Sequence, residues 1–221
     1  MRFEEAVRRL EPLPDVLPEG PEALIPVFAD TVSARPRPSW GEADDSARPA
    51  AVLVLVFPDE DGDARLVLTE RVDRGGHHSG EVSFPGGSAE ADDADLVATA
   101  LREAAEEVGL DPVQAGVRVL GVLEMQWIPV SNFTVTPVVA VADRRPLLTP
   151  QPTEVALILE PHVAAFLPDG ELRIVEREIR GWQLRYAAYP VGELNVWGMT
   201  ARVLGGLGAW LARDPEEVGL P

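Results

Sequence analysis

The chain has 221 residues, a formal net charge of −18 and a hydrophobic content of 46%, values typical of one globular domain with a sizeable core. The excess of acidic residues argues against a nucleic-acid partner, because phosphate backbones are bound by surplus basic residues. The sequence has no cysteine and no lysine, which excludes disulfides, a thiol nucleophile, a Schiff-base mechanism and a P-loop.

The first 48 residues have the character of an arm. Residues 3–10 are spaced as a short amphipathic helix, and the segment 12–38 is rich in proline. These opening residues lack the apolar core of a signal peptide, and no apolar stretch is long enough to cross a membrane. We therefore predict a cytoplasmic protein without a membrane partner, in which an arm (1–48) precedes one domain (49–213) and a C-terminal tail (214–221).

Strand and helix patterns then mix along the domain. The apolar run at 51–57 predicts a buried strand, and a turn joins it to a partner strand at 65–69. Later segments predict four more strands, of which the last two form a pair, and a closing helix. These segments are 117–125, 133–142, 171–179, 183–189 and 200–213. The order predicts a mixed α/β fold.

Three glutamates stand at helical spacing between these strands. At about 100° per residue, Glu103, Glu106 and Glu107 fall within an arc of about 100° on one face of a helix. Like charges at this spacing repel, and an oxygen-seeking divalent cation such as Mg²⁺ or Mn²⁺ would remove the repulsion. The spacing alone fits a solvated acidic helix face as well as a metal site.

The sequence also marks the ends of this helix. Aspartates before it offer hydrogen-bond acceptors to its first turn, and Gly109 with Pro112 ends it. Its apolar residues recur on a different face, which we expect to pack inward. Upstream, Gly86 and Gly87 let the backbone approach a ligand, so that a glycine carbonyl can join the glutamates as a hard ligand. The aspartates are Asp92, Asp93 and Asp95, and the apolar residues are Val97, Leu101, Ala104 and Val108.

The order of these features resembles a known family. A Gly-Gly pair followed by REAAEEVGL, at 102–110, resembles the signature of the Nudix hydrolases. Asp93 stands where that pattern has a glutamate, and one extra residue separates it from Arg102. The resemblance implies an α/β/α sandwich of the Nudix type and metal-dependent hydrolysis of a diphosphate, with Mg²⁺ or Mn²⁺ as the cofactor.

Two flanking segments are similar to the coenzyme A pyrophosphatase branch of that family. The first, at 66–87, has a Leu-Thr-x-Arg run, then His-x-Gly-Glu and Phe-Pro-Gly-Gly. The second, NVWGMTARVL at 195–204, resembles the start of the last helix of that branch. Val72 departs from the small residue that the branch has after the arginine. The branch implies that the partner is a small nucleotide diphosphate derivative, coenzyme A or an acyl form, cut to 4′-phosphopantetheine and 3′,5′-ADP.

The spacing and the resemblance together predict the site residues. The glutamates and a glycine carbonyl would hold the metal, Arg102 would orient Glu106, and Glu103 or Glu107 would polarise the attacking water. Arginines of the branch segment would hold substrate phosphates. In full, the predicted catalytic residues are Glu103, Glu107 and Arg102, the substrate-binding residues are Arg71, Arg74, His78 and Gly87, and the metal ligands are Glu103, Glu106, Glu107 and Gly86.

Several of these assignments have alternatives. Arg71 and Arg74 could be surface arginines, and His78 could stabilise its own loop. Glu154 could add a late carboxylate to the metal or act as a base. The tryptophans could stack on adenine or pack in the core, the more frequent use; they are Trp127, Trp182 and Trp197. At the level of the whole protein, the alternatives are a Nudix hydrolase for ADP-ribose, a dinucleotide or an oxidised nucleotide, and a nucleotide sensor without catalysis. A homodimer is compatible with each of them.

Overall fold

The computed structural model describes residues 1–29, 46–72, 81–129, 131–179 and 182–214. Within these ranges the α-helices are α1 (Phe3–Leu10), α2 (Leu96–Val108), α3 (Pro112–Ala115) and α4 (Gly198–Leu211), and 3₁₀ turns cover Glu22–Leu24 and Val163–Phe166. The strands are β1 (Val27–Phe28), β2 (Arg48–Pro58), β3 (Ala64–Leu66), β4 (Leu68–Arg71), β5 (Val82–Ser83), β6 (Gly86–Ser88), β7 (Val117–Val122), β8 (Gln126–Ile128), β9 (Phe133–Ala142), β10 (Val155–Leu159), β11 (Arg173–Ile179), β12 (Trp182–Val191) and β13 (Leu194–Val196).

The central sheet is built on β2 and β9, which pair in parallel. Their register runs from Arg48 opposite Phe133 to Val56 opposite Val141. β3 and β6 pair with β2, and β7 and β8 pair with β9, all antiparallel. β2 and β9 are rich in valine and alanine and are buried along most of their length, as expected of parallel strands that are covered on both faces.

Helices cover both faces of this sheet. Alternate residues of a strand point to opposite faces. The odd-numbered residues 51–57 pack in one apolar cluster with Ala104 and Val108 of α2. The even-numbered residues 52–56 pack in a second cluster with Leu10 of α1 and Leu204 of α4. The predicted α/β/α sandwich is therefore confirmed.

Two smaller sheets flank the central one. β4 lies between β10 and β5, and β12 lies between β1 and β11 and also pairs with β13. The predicted pair at 171–179 and 183–189 is the β11–β12 pair. The predicted single strand at 65–69 is instead divided between β3 and β4, which belong to different sheets. The Val67 N–H donates to the Leu55 carbonyl at 3.2 Å, and the chain leaves β2 directly after this bond.

The described part of the Pro-rich segment packs against α4. A Cβ on Gly205 would lie 2.8 Å from Leu24 Cδ1, and a Cβ on Gly206 would lie 2.9 Å from the Pro18 carbonyl oxygen. Only glycine allows so close an approach, and Leu24 is buried as a result. Residues 30–45 of the predicted arm and most of the predicted tail lie outside the described residues.

None of the helices in the described part of the chain is both long and apolar enough to span a bilayer.

Candidate active site

The glycine pair is fixed to the central sheet beside α2. Gly86 lies opposite Val52 and Gly87 opposite Ala51 in the β2–β6 pair. A Cβ on Gly86 would collide with the Ala51 carbonyl, and a Cβ on Gly87 would lie 2.5 Å from the Glu103 carboxylate. Glycine is therefore required at position 86, where the backbone of β2 leaves no room, whereas a side chain at position 87 would push the Glu103 carboxylate out of its place.

Helix α2 presents the glutamates to this glycine pair. The helix begins where the Asp95 side chain accepts the Ala98 N–H at 2.8 Å, and it ends at Gly109, whose φ of 66° is left-handed. Glu106 is exposed and Glu103 partly buried, whereas Glu107 is only 3% exposed. Sequence spacing placed the three on one side of the helix, but it gave no sign that one of them is buried.

Arg102 is the centre of an ion-pair network on the same helix. Its Nη1 donates to Glu103 at 2.9 Å and to Glu106 at 3.2 Å, and its Nη2 donates to the Ser88 carbonyl at 2.9 Å. Arg102 thereby joins α2 to β6 and holds two of the glutamates. The hydrogen bonds to Asp93 are the main cause that raises the pKa of the Arg102 guanidinium above its usual range, and Glu103 adds to this shift.

Asp93 completes this network. Its carboxylate accepts Arg102 Nε at 3.0 Å, Arg102 Nη2 at 3.0 Å and the Thr99 hydroxyl at 2.8 Å, and it also accepts the Glu90 N–H. These bonds hold the pKa of the Asp93 carboxyl well below its usual range, and the bond from Arg102 has the largest effect. Asp93 is the residue that departs from the Nudix pattern, and here it orients the arginine of that pattern.

Glu107 has weaker compensation for its charge. It accepts the Gly86 N–H at 3.1 Å, and its other oxygen lies 3.6 Å from Arg71 Nη2. Burial raises the pKa of Glu107 to about 7; Arg71 and the Gly86 N–H oppose this shift, and the charges of Glu103 and Glu154 add to it. Burial also raises the pKa of Glu103, with Arg102 opposing.

Arg71 reaches the site from the end of β4. Its Nη2 donates to the Gly86 carbonyl at 3.3 Å, and 42% of its side chain is exposed. Its backbone is fixed, because its N–H donates to the Glu81 carbonyl and the residue lies opposite Val155 of β10. The other predicted substrate-binding residues of this segment, Arg74 and His78, lie outside the described residues.

Glu154 approaches the same carboxylates from a loop that covers the end of α2. The Gln151 N–H donates to the Glu107 carbonyl at 2.8 Å, and the Thr149 N–H donates to the Val108 carbonyl at 2.8 Å. These bonds satisfy helix carbonyls that have no partner within the helix. The loop leaves Glu154 exposed, with a charge that raises the pKa of both Glu103 and Glu107.

The carboxylates do not meet at one point in this conformation. In the part of the chain that the structure describes, no three acidic or histidine side chains converge closely enough to hold a metal ion. Arg102 stands between Glu103 and Glu106, and Glu107 points to the Gly86 N–H. The donors still fit a hard divalent cation, since all are carboxylate or carbonyl oxygens.

A cavity of about 320 Å³ opens beside this cluster, with Arg71, Gly86 and Gly87 at its edge. Its size is within the range of small-molecule sites, and its walls are largely apolar. They come from β2, β8, β9 and the start of α4 and include Ala50, Val52, Ile128, Phe133, Val135, Trp197 and Met199. Trp197 stacks on Tyr186 with ring centroids 4.9 Å apart. Trp182 packs edge-on against Phe28, and Trp127 donates to Asn132.

Comparison with known proteins identifies the family of the domain. A family model of the NUDIX domain matches residues 47–202. The chain belongs to the Nudix family. It is 40% identical over 161 residues to the mitochondrial Nudix hydrolase 15 of Arabidopsis thaliana, over 70% of this chain and 55% of that protein, so the chain spans about half the length of that relative. It is 36% identical over 180 residues to the uncharacterized Nudix hydrolase NudL of Cronobacter sakazakii, over 81% of this chain and 91% of that protein.

Among solved structures, the Nudix hydrolase RenU from M. Smegmatis aligns with a TM-score of 0.45 and 24% identity, over 54% of this chain and 73% of that chain.

The Nudix signature anticipated most of the residues that meet here. Glu103, Glu107, Gly86, Gly87 and Arg71 form one cluster, whereas Glu106 turns outward to Arg102. Sequence reasoning missed two contacts: the hydrogen bonds by which Asp93 orients Arg102, and the ion pair of Arg71 with Glu107. The one available signal for Asp93 was its place at the position of a Nudix pattern residue. No signal existed for Arg71, because its contacts depend on how β4 leaves the central sheet.

Proposed function

We propose that this Nudix protein is a metal-dependent pyrophosphohydrolase that cleaves the diphosphate of coenzyme A or an acyl-coenzyme A. The products are 4′-phosphopantetheine, or its acyl form, and 3′,5′-ADP. One observation carries the choice of substrate: the two segments that resemble the coenzyme A pyrophosphatase branch line the same cavity. Arg71, Phe84 and Gly86 come from the first segment, and Trp197, Met199 and Thr200 come from the second.

The chemistry of the cavity supports this choice. Coenzyme A joins a charged diphosphate to a long pantetheine chain that carries no formal charge. The apolar walls suit the uncharged part, and the guanidinium of Arg71 at the edge suits a phosphate oxygen. With a net charge of −18 the surface as a whole repels such an anion, so local positive charge has to attract the diphosphate.

The metal ligands in this proposal are Glu103, Glu106, Glu107 and the Gly86 carbonyl. When bound there, Mg²⁺ or Mn²⁺ would neutralise phosphate oxygens and lower the pKa of the attacking water. Arg102 is a positioning residue: its bonds to Glu103 and Glu106 set where these carboxylates point. The buried Glu107 is held by the Gly86 N–H, which keeps one carboxylate next to the glycine carbonyl.

Glu154 is the proton acceptor in this proposal. It is exposed, and its charge raises the pKa of Glu103 and Glu107, so it lies within electrostatic reach of both carboxylates. The water oxygen bonds to one phosphorus as the bridging P–O bond breaks, the leaving phosphate takes the bond electrons, and the Glu154 carboxylate takes the water proton.

A product assay resolved by mass tests the function. Coenzyme A, ADP-ribose, NADH and 8-oxo-dGTP are each incubated with Mg²⁺, with Mn²⁺ and with chelator. We expect 4′-phosphopantetheine and 3′,5′-ADP from coenzyme A, only with metal. In H₂¹⁸O the label identifies the attacked phosphorus. Cleavage of another diphosphate but not of coenzyme A would overturn the substrate assignment, and tight metal-independent binding without cleavage would favour the sensor alternative.

Two variants and a control test the glutamate roles. Glu107→Gln should lower kcat/KM by about 10³-fold, because it removes a metal ligand. Glu154→Gln should lower kcat with KM and Mn²⁺ affinity close to those of the parent, because it removes only the proton acceptor. Glu60→Gln, at a 90% exposed side chain in the turn between β2 and β3, should change nothing. Equal turnover of the parent and Glu107→Gln at saturating Mg²⁺ would refute the metal site.

A further inference from the structure

Arg71 occupies the oxygens that the proposed function assigns to the metal. Its Nη2 lies 3.3 Å from the Gly86 carbonyl oxygen and 3.6 Å from Glu107 Oε1. The Gly86 carbonyl and the Glu107 carboxylate are two of the proposed ligands. A single positive group therefore bridges, in this structure, two oxygens that a divalent cation would need.

The contact is weak for an ion pair between such groups. The 3.3 Å distance is beyond the usual N–H···O range, and 3.6 Å is too long for a hydrogen bond. The guanidinium is also 42% exposed, so that water screens its attraction for Glu107. A divalent cation carries twice the charge and binds carboxylate oxygens at about 2.0–2.6 Å. It therefore competes successfully for the same oxygens.

The backbone of Arg71 limits where its side chain can go. β4 holds the residue by the Arg71 N–H to Glu81 bond and by the pairing with Val155. Only the side chain can move when another cation takes its oxygens. Arg71 also lines the cavity proposed to hold the substrate, so a guanidinium released from the glutamate remains beside that cavity.

We propose that Arg71 is an exchangeable counter-ion: it bridges Glu107 and the Gly86 carbonyl in the metal-free protein, is displaced when the divalent cation binds, and then holds the substrate diphosphate. This inference rests on the proposed metal site and adds an order to the reaction, in which metal binding makes the diphosphate-binding arginine available. The cluster thus keeps a neutralising charge at every stage, and the second phosphate-binding charge appears only when the cation is in place.

The first test measures Mn²⁺ affinity, by electron paramagnetic resonance of free Mn²⁺, together with KM for coenzyme A. Arg71→Gln should bind Mn²⁺ about tenfold more tightly, because its competitor is gone, and should raise KM about tenfold, because the diphosphate loses a guanidinium. A purely structural role would weaken both. Arg71→Lys should keep Mn²⁺ affinity close to that of the parent and raise KM, because it retains the charge but loses the fork.

The matched control is Arg185→Gln. Arg185 is 56% exposed and lies 3.8 Å from Glu176, a contact similar to that of Arg71 but on β12. Its substitution should alter neither Mn²⁺ affinity nor KM. If Arg185→Gln tightens Mn²⁺ binding as much as Arg71→Gln does, the effect reflects total charge, and the proposal is overturned.

The second test observes the guanidinium directly. The side-chain ¹⁵N resonances of Arg71 are identified by their absence in Arg71→Gln and followed in the parent as Mg²⁺ is added. We expect these resonances to shift as the Mg²⁺ site fills. In the same titration of Glu107→Gln, we expect the arginine side-chain resonances to stay unchanged. Mg²⁺ binding, confirmed by calorimetry, without movement of the Arg71 resonances would disprove the exchange. Absence of Mg²⁺ binding in the parent would instead refute the metal site of the proposed function.

Discussion

Two arginines meet the acidic face of α2, and they are held in opposite ways. Arg102 is 22% exposed and makes bonds of 2.9–3.2 Å to Asp93, Glu103, Glu106 and the Ser88 carbonyl. Arg71 is 42% exposed and makes one 3.3 Å bond and one 3.6 Å ion pair. The first arginine has short bonds along its whole guanidinium, whereas the second is loosely held at one nitrogen.

The difference separates a structural charge from a replaceable one. Arg102 is bonded to Asp93, which is not a proposed metal ligand. Metal binding would therefore leave these bonds of Arg102 intact. Among the residues that the structure describes, the Arg71 guanidinium contacts the Gly86 carbonyl and Glu107, two groups that the metal would take. Evenly strong bonds at both arginines would make the site rigid but closed to the cation, and weak bonds at both would leave the glutamates unoriented.

The largest effect on stability should come from Arg102→Met, which keeps the length of the side chain without its charge. The side chain of Asp93, 8% exposed, would be left without its principal partner. We expect the free energy of unfolding to fall by roughly 3 kcal/mol, measured by urea denaturation without metal, and saturating Mg²⁺ should not restore it. Arg71→Met should cost less than about 1 kcal/mol, and Mg²⁺ should restore it. Similar losses in the two variants would contradict the comparison.

The two clusters should also respond differently to pH. The Glu107 pKa is raised to about 7 from 4.5, so its protonated form favours folding: this stability is present below about pH 4.5 and is lost as pH rises through about 7. Metal binding requires the carboxylate, so Mn²⁺ affinity should rise about tenfold per pH unit up to about pH 7 and then level off. Calorimetry from pH 5 to pH 8 measures this slope, which Glu107→Gln should reduce; a remaining part is expected from Glu103, whose pKa burial also raises.

Asp93, the principal partner of Arg102, should show no such slope. Its pKa lies well below the usual range, so this carboxylate stays charged throughout that window. A pH dependence of undiminished size in Glu107→Gln would show that a group other than Glu107 governs metal binding.

A smaller loss of stability than that of Arg102→Met is expected from Asp93→Asn. An amide still accepts the Thr99 hydroxyl but no longer forms an ion pair with Arg102, so the unfolding free energy should fall, by less than in Arg102→Met. Arg102 would then orient Glu103 and Glu106 less firmly, so we expect kcat to fall while KM stays unchanged. Asp92→Asn, at the exposed neighbour, is the control. A loss of Mn²⁺ affinity in Asp93→Asn as large as that in Glu107→Gln would give Asp93 a ligand role instead.

The sequence predicted the elements whose pattern is local. β2 and β9 are apolar runs, α2 has an aspartate cap and a terminal glycine, and Glu103, Glu106 and Glu107 have helical spacing. These features need only the periodicity of strands and helices. The Nudix resemblance then supplied the link between the glycine pair and the glutamates.

The parts that the sequence did not predict depend on tertiary contacts. The division of 65–69 between β3 and β4 follows from the bond of Val67 to Leu55, which no periodicity reveals. The burial of Glu107 depends on β6 lying over α2, and the packing of Leu24 depends on glycines of α4 far along the chain. Each of these three features arises from contacts between segments that are distant in sequence, so local patterns do not reveal it.

β2 and β9 pair in parallel although four strands, two helices and two further strands lie between them along the chain. Closing so long a loop costs conformational entropy before any contact repays it, which slows folding. The glycine strand and α2 reach β2 over shorter separations and can assemble first. Until β9 arrives, the run AVLVLVF has an unpaired edge, which favours association with other chains. We therefore expect a newly synthesised chain to be prone to aggregation until β9 pairs with β2.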